Sequence, residues 1–365
     1  MGRYSSEEVV AESIMVPVGS GDQLHIKRLR VKPLIDEAEG ADGSPVKAAT
    51  PIFMLHGVVE DGRVFYSRSG KGLAYFLASH GFDVFVADMR GKGSSWPQVK
   101  KIDAEEYGAF EAVTEDLPAL IAEVCRQTDD VPWLWVTHGW GGVLATAYMA
   151  RYSECAANIL GVVHFASRRT TQVNTLRKRI LVDWWWGGFG QWLVKNKGYL
   201  PGRFWGYGVS DEAAGIHKDM IAWSSPADWI DTRDGFDYQA AVLALEKPAS
   251  LYFASESDTG LADADDIRDF MKYHGDHNGR LVLLGKTLGN RRDYGAVDML
   301  VHEDAEYDHF PLVVEWMFEN GGVVTDCPTH RDIDESVNEM FEVNDAVEVN
   351  ERVEINERVE SESAP

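Results

Sequence analysis

Residues Val131 to Met149 read VPWLWVTHGWGGVLATAYM. From Pro132 to Val136 the run is apolar and rich in β-branched and aromatic residues. Three glycines, Gly139, Gly141 and Gly142, follow, and then an Ala-rich apolar segment with helical spacing. That order predicts a buried strand, a tight turn and a helix.

The pattern repeats outward on both sides. Upstream, Ser13 to Val31 alternates apolar and polar residues around Gly19 to Asp22, which predicts a hairpin. Pro51 to Leu55 is a short buried strand ending in His56-Gly57. Ser69 to His80 reads as a helix closed by Gly81, and Phe82 to Met89 as a strand running into RGKGSSWP. Glu105 to Gln127 places Phe110, Val113, Leu117, Leu120, Ile121 and Val124 at helical spacing. Downstream, Ile159 to Ala166, Pro248 to Ala254 and Arg280 to Leu284 read as strands, Asp263 to His274 as a helix, and a last helix begins near Pro311. Near-continuous apolar strands alternating with helices predict a parallel sheet covered on both faces.

Three features together resemble the α/β-hydrolase family: His56-Gly57 after a strand, the segment Asp88, Arg90, Gly91, Gly93, Ser95 (D-x-R-G-x-G-x-S), and the strand-turn-helix of Thr137 to Gly142. The turn is similar to the family's nucleophile elbow, written G-x-S-x-G, in which a serine is held on a strained turn. Here the serine position is Gly139. The resemblance implies an α/β-hydrolase fold with a mostly parallel central sheet, helices on both faces and a helical cap. It divides the chain into a core of residues 1–167 and 239–325, a Trp-rich cap of 168–238 and an acidic tail of 326–365, expected to be solvated. The cap stretch holds seven of the twelve tryptophans, Trp184, Trp185, Trp186, Trp192, Trp205, Trp223 and Trp229, and the basic residues Arg168, Arg169, Arg177, Lys178 and Arg179. The tryptophans either pack the cap onto the core or line an apolar pocket. KGYLPGRFWGYG followed by HKDMIAWSSPADW is similar to the cap of bacterial α/β-hydrolases known only as predicted hydrolases.

The same resemblance assigns the site. The family order is nucleophile, acid, histidine. Asp258, in a loop similar to the acid loop of lipases related to the gastric enzymes, matches the acid, with Asp263 as the fallback. His309, just before the last helix, matches the histidine, with His302 as its competitor. His56 is expected to shape the oxyanion loop, and His138 to precede the turn without acting chemically. The backbone N–H groups of Val58 and Trp140 match the oxyanion hole. A hydroxyl that the histidine can deprotonate is missing, so serine-type acyl transfer is expected to be weak or absent. Two alternatives stand beside a hydrolase of the carboxylic ester or lipid type. One is a non-catalytic binding protein for an apolar small molecule, and the other a His/Asp dyad enzyme that activates water.

Composition bounds the rest. The chain has 365 residues and a formal charge of −24, and Asp332 to Pro365 alone carries twelve acidic and two basic residues, net −10. Such acidity speaks against nucleic acid and anionic membrane as partners. Cys125, Cys155 and Cys327 are widely spaced, and no metal-ligand or cofactor motif is present, so neither a disulfide framework, nor a metal, nor a cofactor is expected. The charged N-terminus MGRYSSEEVV lacks the apolar stretch of a signal peptide, and no run is long enough to span a membrane. The expectation is a cytoplasmic protein whose partner is an apolar small molecule or ester, with the oligomeric state left open.

Overall fold

The computed structural model describes residues 4–19, 21–32, 49–103, 106–172, 180–206, 208–225 and 229–321. Residues 33–48, between the hairpin and the strand at Pro51, fall outside them, as do Arg177 to Arg179, Cys327 and the tail of 326–365.

Strands β1 (Val9–Val18) and β2 (Asp22–Val31) form the expected hairpin, paired antiparallel from Val9 against Val31 to Val18 against Asp22. The remaining strands of the main sheet are β3 (Pro51–Leu55), β4 (Asp83–Asp88), β5 (Trp133–His138), β6 (Ile159–Phe165), β9 (Ala249–Ser255) and β10 (Gly279–Leu284). Two short strands, β7 (Tyr199–Leu200) and β8 (Glu212–Ala213), pair with each other elsewhere. The sheet order is β1-β2-β4-β3-β5-β6-β9-β10. Only β1–β2 and β2–β4 are antiparallel, and every pair from β4–β3 to β9–β10 is parallel.

Alternation along the strands sorts the core into two layers. Phe53, Leu55, Phe85 and Trp135 face α2 (Leu117–Gln127), α3 (Trp140–Arg151), α6 (Tyr238–Ala244) and α7 (Ala264–Tyr273). Ile52, Met54, Val84, Val86, Leu134 and Val136 face α1 (Leu73–Ser79) and α8 (Phe310–Gly321). Strands buried on both faces carry no polar alternation, which is why β3, β4 and β5 read as unbroken apolar runs. The helix expected from Glu105 starts at Ala109 and passes through a π-helical stretch, Ala112–Asp116, before α2. Apolar spacing does not reveal that change of pitch.

Between β6 and β9 the chain makes a long excursion. It holds a π-helical stretch (Ile180–Phe189), α4 (Gly190–Lys197), the β7–β8 pair and α5 (Ala214–Trp223). The excursion supplies Leu193 and Leu200 to a small cluster with Val59 of the core. No helix among the described residues is long and apolar enough to cross a membrane. Cys125 and Cys155 are free thiols.

Candidate active site

Gly139 closes β5 and caps α3 with φ 52° and ψ −124°. A side chain there would be strained, of order 1–3 kcal/mol, and glycine holds the sharp turn without that strain. A Cβ at Gly139 would meet only Gly57 Cα, at 4.0 Å, so the turn faces open space. Two residues on, Gly141 is needed for closeness rather than for its torsions. Its Cβ would lie 2.5 Å from Leu55 O and 2.6 Å from His56 O, which seats α3 against the end of β3.

The loop after β3 is pinned by hydrogen bonds. His56 Nδ1 donates to Gly57 O (2.8 Å), and its Nε2 accepts from Met89 N (3.2 Å), tying the loop to the end of β4. Both nitrogens are used structurally, in line with a loop-shaping role. Val59 has φ 51°, an outlier for a β-branched residue. The excursion holds it there from both sides: Val59 N donates to Glu212 Oε2 (2.7 Å) and Val59 O accepts from Ser210 N (2.9 Å). Glu212 in turn pairs with the buried Lys92 (2.8 Å) of the segment after β4. Beside this clamped loop, no described residue accepts from the N–H of Val58 or Trp140.

Across the sheet edge, Asp258 accepts from Gly260 N (2.9 Å) and, through Oδ2, from Ala296 N (3.3 Å). Asp263 caps α7 by accepting from Asp265 N and Asp266 N. His302 accepts from Asp304 N at the start of a short helical turn, Glu303–Glu306. His309 is fully buried among the rings of Phe165, Phe253, Tyr294 and Phe310. Its Nε2 donates to Met299 O (2.7 Å) and its Nδ1 has no partner. The structure therefore does not bring His309 into hydrogen-bond contact with Asp258 or Asp263. The residue between Asp258 and the turn is Ala296, whose N–H meets Asp258 and whose carbonyl accepts from His138 Nε2 (3.0 Å).

A family model described as alpha/beta hydrolase fold matches residues 50–198, the stretch holding β3 to β6 and the turn. Among solved structures, an esterase from Exiguobacterium antarcticum superposes with a TM-score of 0.53 at 13% identity, covering 84% of this chain and 99% of that one. A haloalkane dehalogenase from Agrobacterium tumefaciens does so with 0.52 at 15%, covering 85% and 97%. The chain is an α/β-hydrolase-fold protein. Over shorter stretches it is similar to Sterol esterase 2 of Saccharomyces cerevisiae, 33% identical over 106 residues, which is 27% of this chain and 20% of that protein. It is also similar to the human Lysosomal acid lipase/cholesteryl ester hydrolase, 27% identical over 115 residues, 30% of this chain and 28% of that protein. The matched stretches thus span less than a third of either relative.

In this α/β-hydrolase fold, the histidine–carboxylate pair beside the turn is one that sequence order did not indicate. His138 Nδ1 meets Glu60 Oε2 at 2.7 Å, and the same oxygen accepts from Gly57 N (2.8 Å). Burial works to raise the Glu60 carboxyl. The charge and hydrogen bond of His138 and the Gly57 N–H outweigh it and leave the carboxyl below its ordinary value. With Nε2 on Ala296 O and Nδ1 on Glu60, both ring nitrogens of His138 are already committed to partners other than a group at Gly139. The one sequence signal for this pair is Glu60 standing three residues past Gly57, at the reach of a carboxylate that closes a turn.

The space next to the turn is small. A cavity of about 20 Å³ is walled by His56, Val58, Lys92, Tyr107 and Trp140 from the core and by Glu212 and Ile216 from the excursion. That volume accommodates about one water molecule. Trp140 continues the wall onto Trp223 of α5 (ring centroids 6.0 Å apart), which itself packs on Trp229 and Tyr238. Among the described residues no group of His, Cys, Asp and Glu is placed to hold a metal ion.

Proposed function

We propose that this chain is a protein of the carboxylic ester or lipid hydrolase type without serine-hydrolase turnover. One observation carries the reading. The strand-to-helix turn carries no side chain at Gly139, and the residue hydrogen-bonded both to Asp258 and to His138 beside that turn is Ala296, so neither position offers a hydroxyl or a base. The Val58 and Trp140 N–H groups, with no described acceptor, support an intact site for a carbonyl oxygen. Stretches shared with proteins named for sterol and cholesteryl esters support an apolar ester as the ligand class. A water-activating Asp258–His309 dyad is the weaker reading, because His309 donates to Met299 O instead.

The test is hydrolysis of p-nitrophenyl butyrate and palmitate by the unchanged chain, Gly139→Ser, Gly139→Ser/Ala296→His and Gly139→Ser/His309→Ala. The first two are expected to stay at the buffer rate. The Gly139→Ser/Ala296→His variant is expected to exceed Gly139→Ser by at least about 10²-fold, the range a positioned base contributes. Activity in Gly139→Ser alone that His309→Ala removes would make His309 the base and overturn the role given to Ala296. Fluorophosphonate labelling of the unchanged chain would place a nucleophile elsewhere.

A further inference from the structure

The tryptophans of the excursion differ in burial, with Trp186 in between. Trp223 and Trp229 are buried, whereas Trp184 is 60% exposed, Trp192 57% and Trp205 45%, beside Phe204 at 77%. The exposed rings are joined through the half-buried Phe189. Trp184 stacks on Phe189 (5.5 Å), Phe189 stacks on Trp192 (5.7 Å) and meets Trp205 edge-on (5.4 Å), and Trp205 meets Phe204 (5.5 Å). Ring-to-ring contact of this extent left facing solvent is unusual for a soluble surface and marks an interaction site.

The charge around the rings is opposite to that of the chain. Residues 180–206 carry Lys195, Lys197 and Arg203 against the single acid Asp183, in a protein of net charge −24, and beside them Asp211 accepts from Arg203 N (3.2 Å), which leaves three cations against two acids. All three cations are exposed, and Lys197 Nζ lies 5.7 Å from the centroid of Phe204. Tryptophan and phenylalanine rings settle at the headgroup level of a bilayer, and lysine and arginine reach from there to phosphates. A second copy of the same face would set Lys195, Lys197 and Arg203 against their own counterparts, which repel.

We propose that this aromatic and basic face of the excursion docks on an anionic phospholipid surface. The whole-chain charge speaks against such a partner. The local charge reverses it, and repulsion of the acidic remainder leaves this face as the one that can approach. The proposal does not depend on whether the site beneath turns over esters.

Co-sedimentation of the full chain with vesicles of equimolar phosphatidylcholine and phosphatidylglycerol, against phosphatidylcholine alone, tests it. The chain is expected to bind the mixed vesicles more tightly. Trp184→Ser/Trp192→Ser/Phe204→Ser should weaken that binding at least tenfold with an unchanged thermal midpoint. Lys195→Glu/Lys197→Glu/Arg203→Glu, which leaves every ring in place, should abolish the preference for the anionic lipid. Three results overturn the proposal: no binding to either vesicle, mixed-vesicle binding that neither variant reduces, or concentration-dependent self-association that the aromatic variant abolishes.

Discussion

His138 and His309 are both buried, both within reach of the sheet's carboxyl edge, and surrounded in opposite ways. His138 sits between a carboxylate and a carbonyl, Glu60 Oε2 and Ala296 O, so each nitrogen has an acceptor. His309 has one carbonyl, Met299 O, and otherwise the rings of Phe165, Phe253, Tyr294 and Phe310. Burial pushes His309 down to about 4, and the bond to Met299 O, which favours the charged ring, does not offset it. The difference shows that a histidine's neighbours, rather than its place in a family's residue order, decide its chemistry. The one with a carboxylate has its nitrogens committed, and the one in the expected position is part of the apolar core.

Removing Glu60 should break the comparison most strongly. Glu60→Leu strips the acceptor from His138 Nδ1 and from Gly57 N together, and since breaking a fully buried pair at one partner costs about 3–5 kcal/mol, this part-buried one should cost about 3 kcal/mol. Glu60→Gln keeps an acceptor oxygen and should recover much of that. Urea midpoints of the two variants check both statements, and a Glu60→Leu chain as stable as the original would show that the pair contributes nothing to the fold.

The second effect is acid sensitivity. Because the folded value of His309 lies below the ordinary 6.5, the unfolded chain binds more protons between about pH 6.5 and pH 4. The contribution of this residue is therefore complete above about pH 6.5 and lost as the pH falls toward 4, a change of order 3 kcal/mol. His274, also buried and held at about 4, loses stability over the same window, as its burial likewise favours the neutral ring. Unfolding free energies at several pH values should show His309→Leu with a shallower slope than the unchanged chain. Equal slopes would mean that His309 is not held neutral.

How much of this could be read beforehand depends on whether the information is local. The parallel strands were legible because burial on both faces leaves an uninterrupted apolar run, as in Pro51–Leu55 and Asp83–Asp88. So was the turn, because Gly139 and Gly141 are demanded by torsion and by backbone approach. The residue facing Asp258 was not, since an alanine at 296 gives no chemical signal and a rule of residue order settles on the nearest histidine. Nor was Glu60–His138, a contact between residues 78 positions apart in the chain. The tryptophans of the excursion have the same composition whether buried, like Trp229, or exposed, like Trp192, and only packing separates them.

The smallest expected effect sharpens the comparison furthest. At pH 7, His309→Leu exchanges a ring for an aliphatic group within the same aromatic shell. It forfeits the bond to Met299 O, and it also removes Nδ1, a buried polar atom with no partner. A lost neutral hydrogen bond and a removed desolvation penalty are each about 1 kcal/mol and opposite in sign, so the net change should lie within about 1 kcal/mol. His138→Leu has no such offset, since both of its nitrogens are partnered and its loss leaves the Glu60 charge beside the Gly57 N–H alone. The pair of measurements separates a histidine kept for its shape from one kept for its hydrogen bonds. A large loss in His309→Leu would mean that the imidazole itself is required where the structure shows a plain core position.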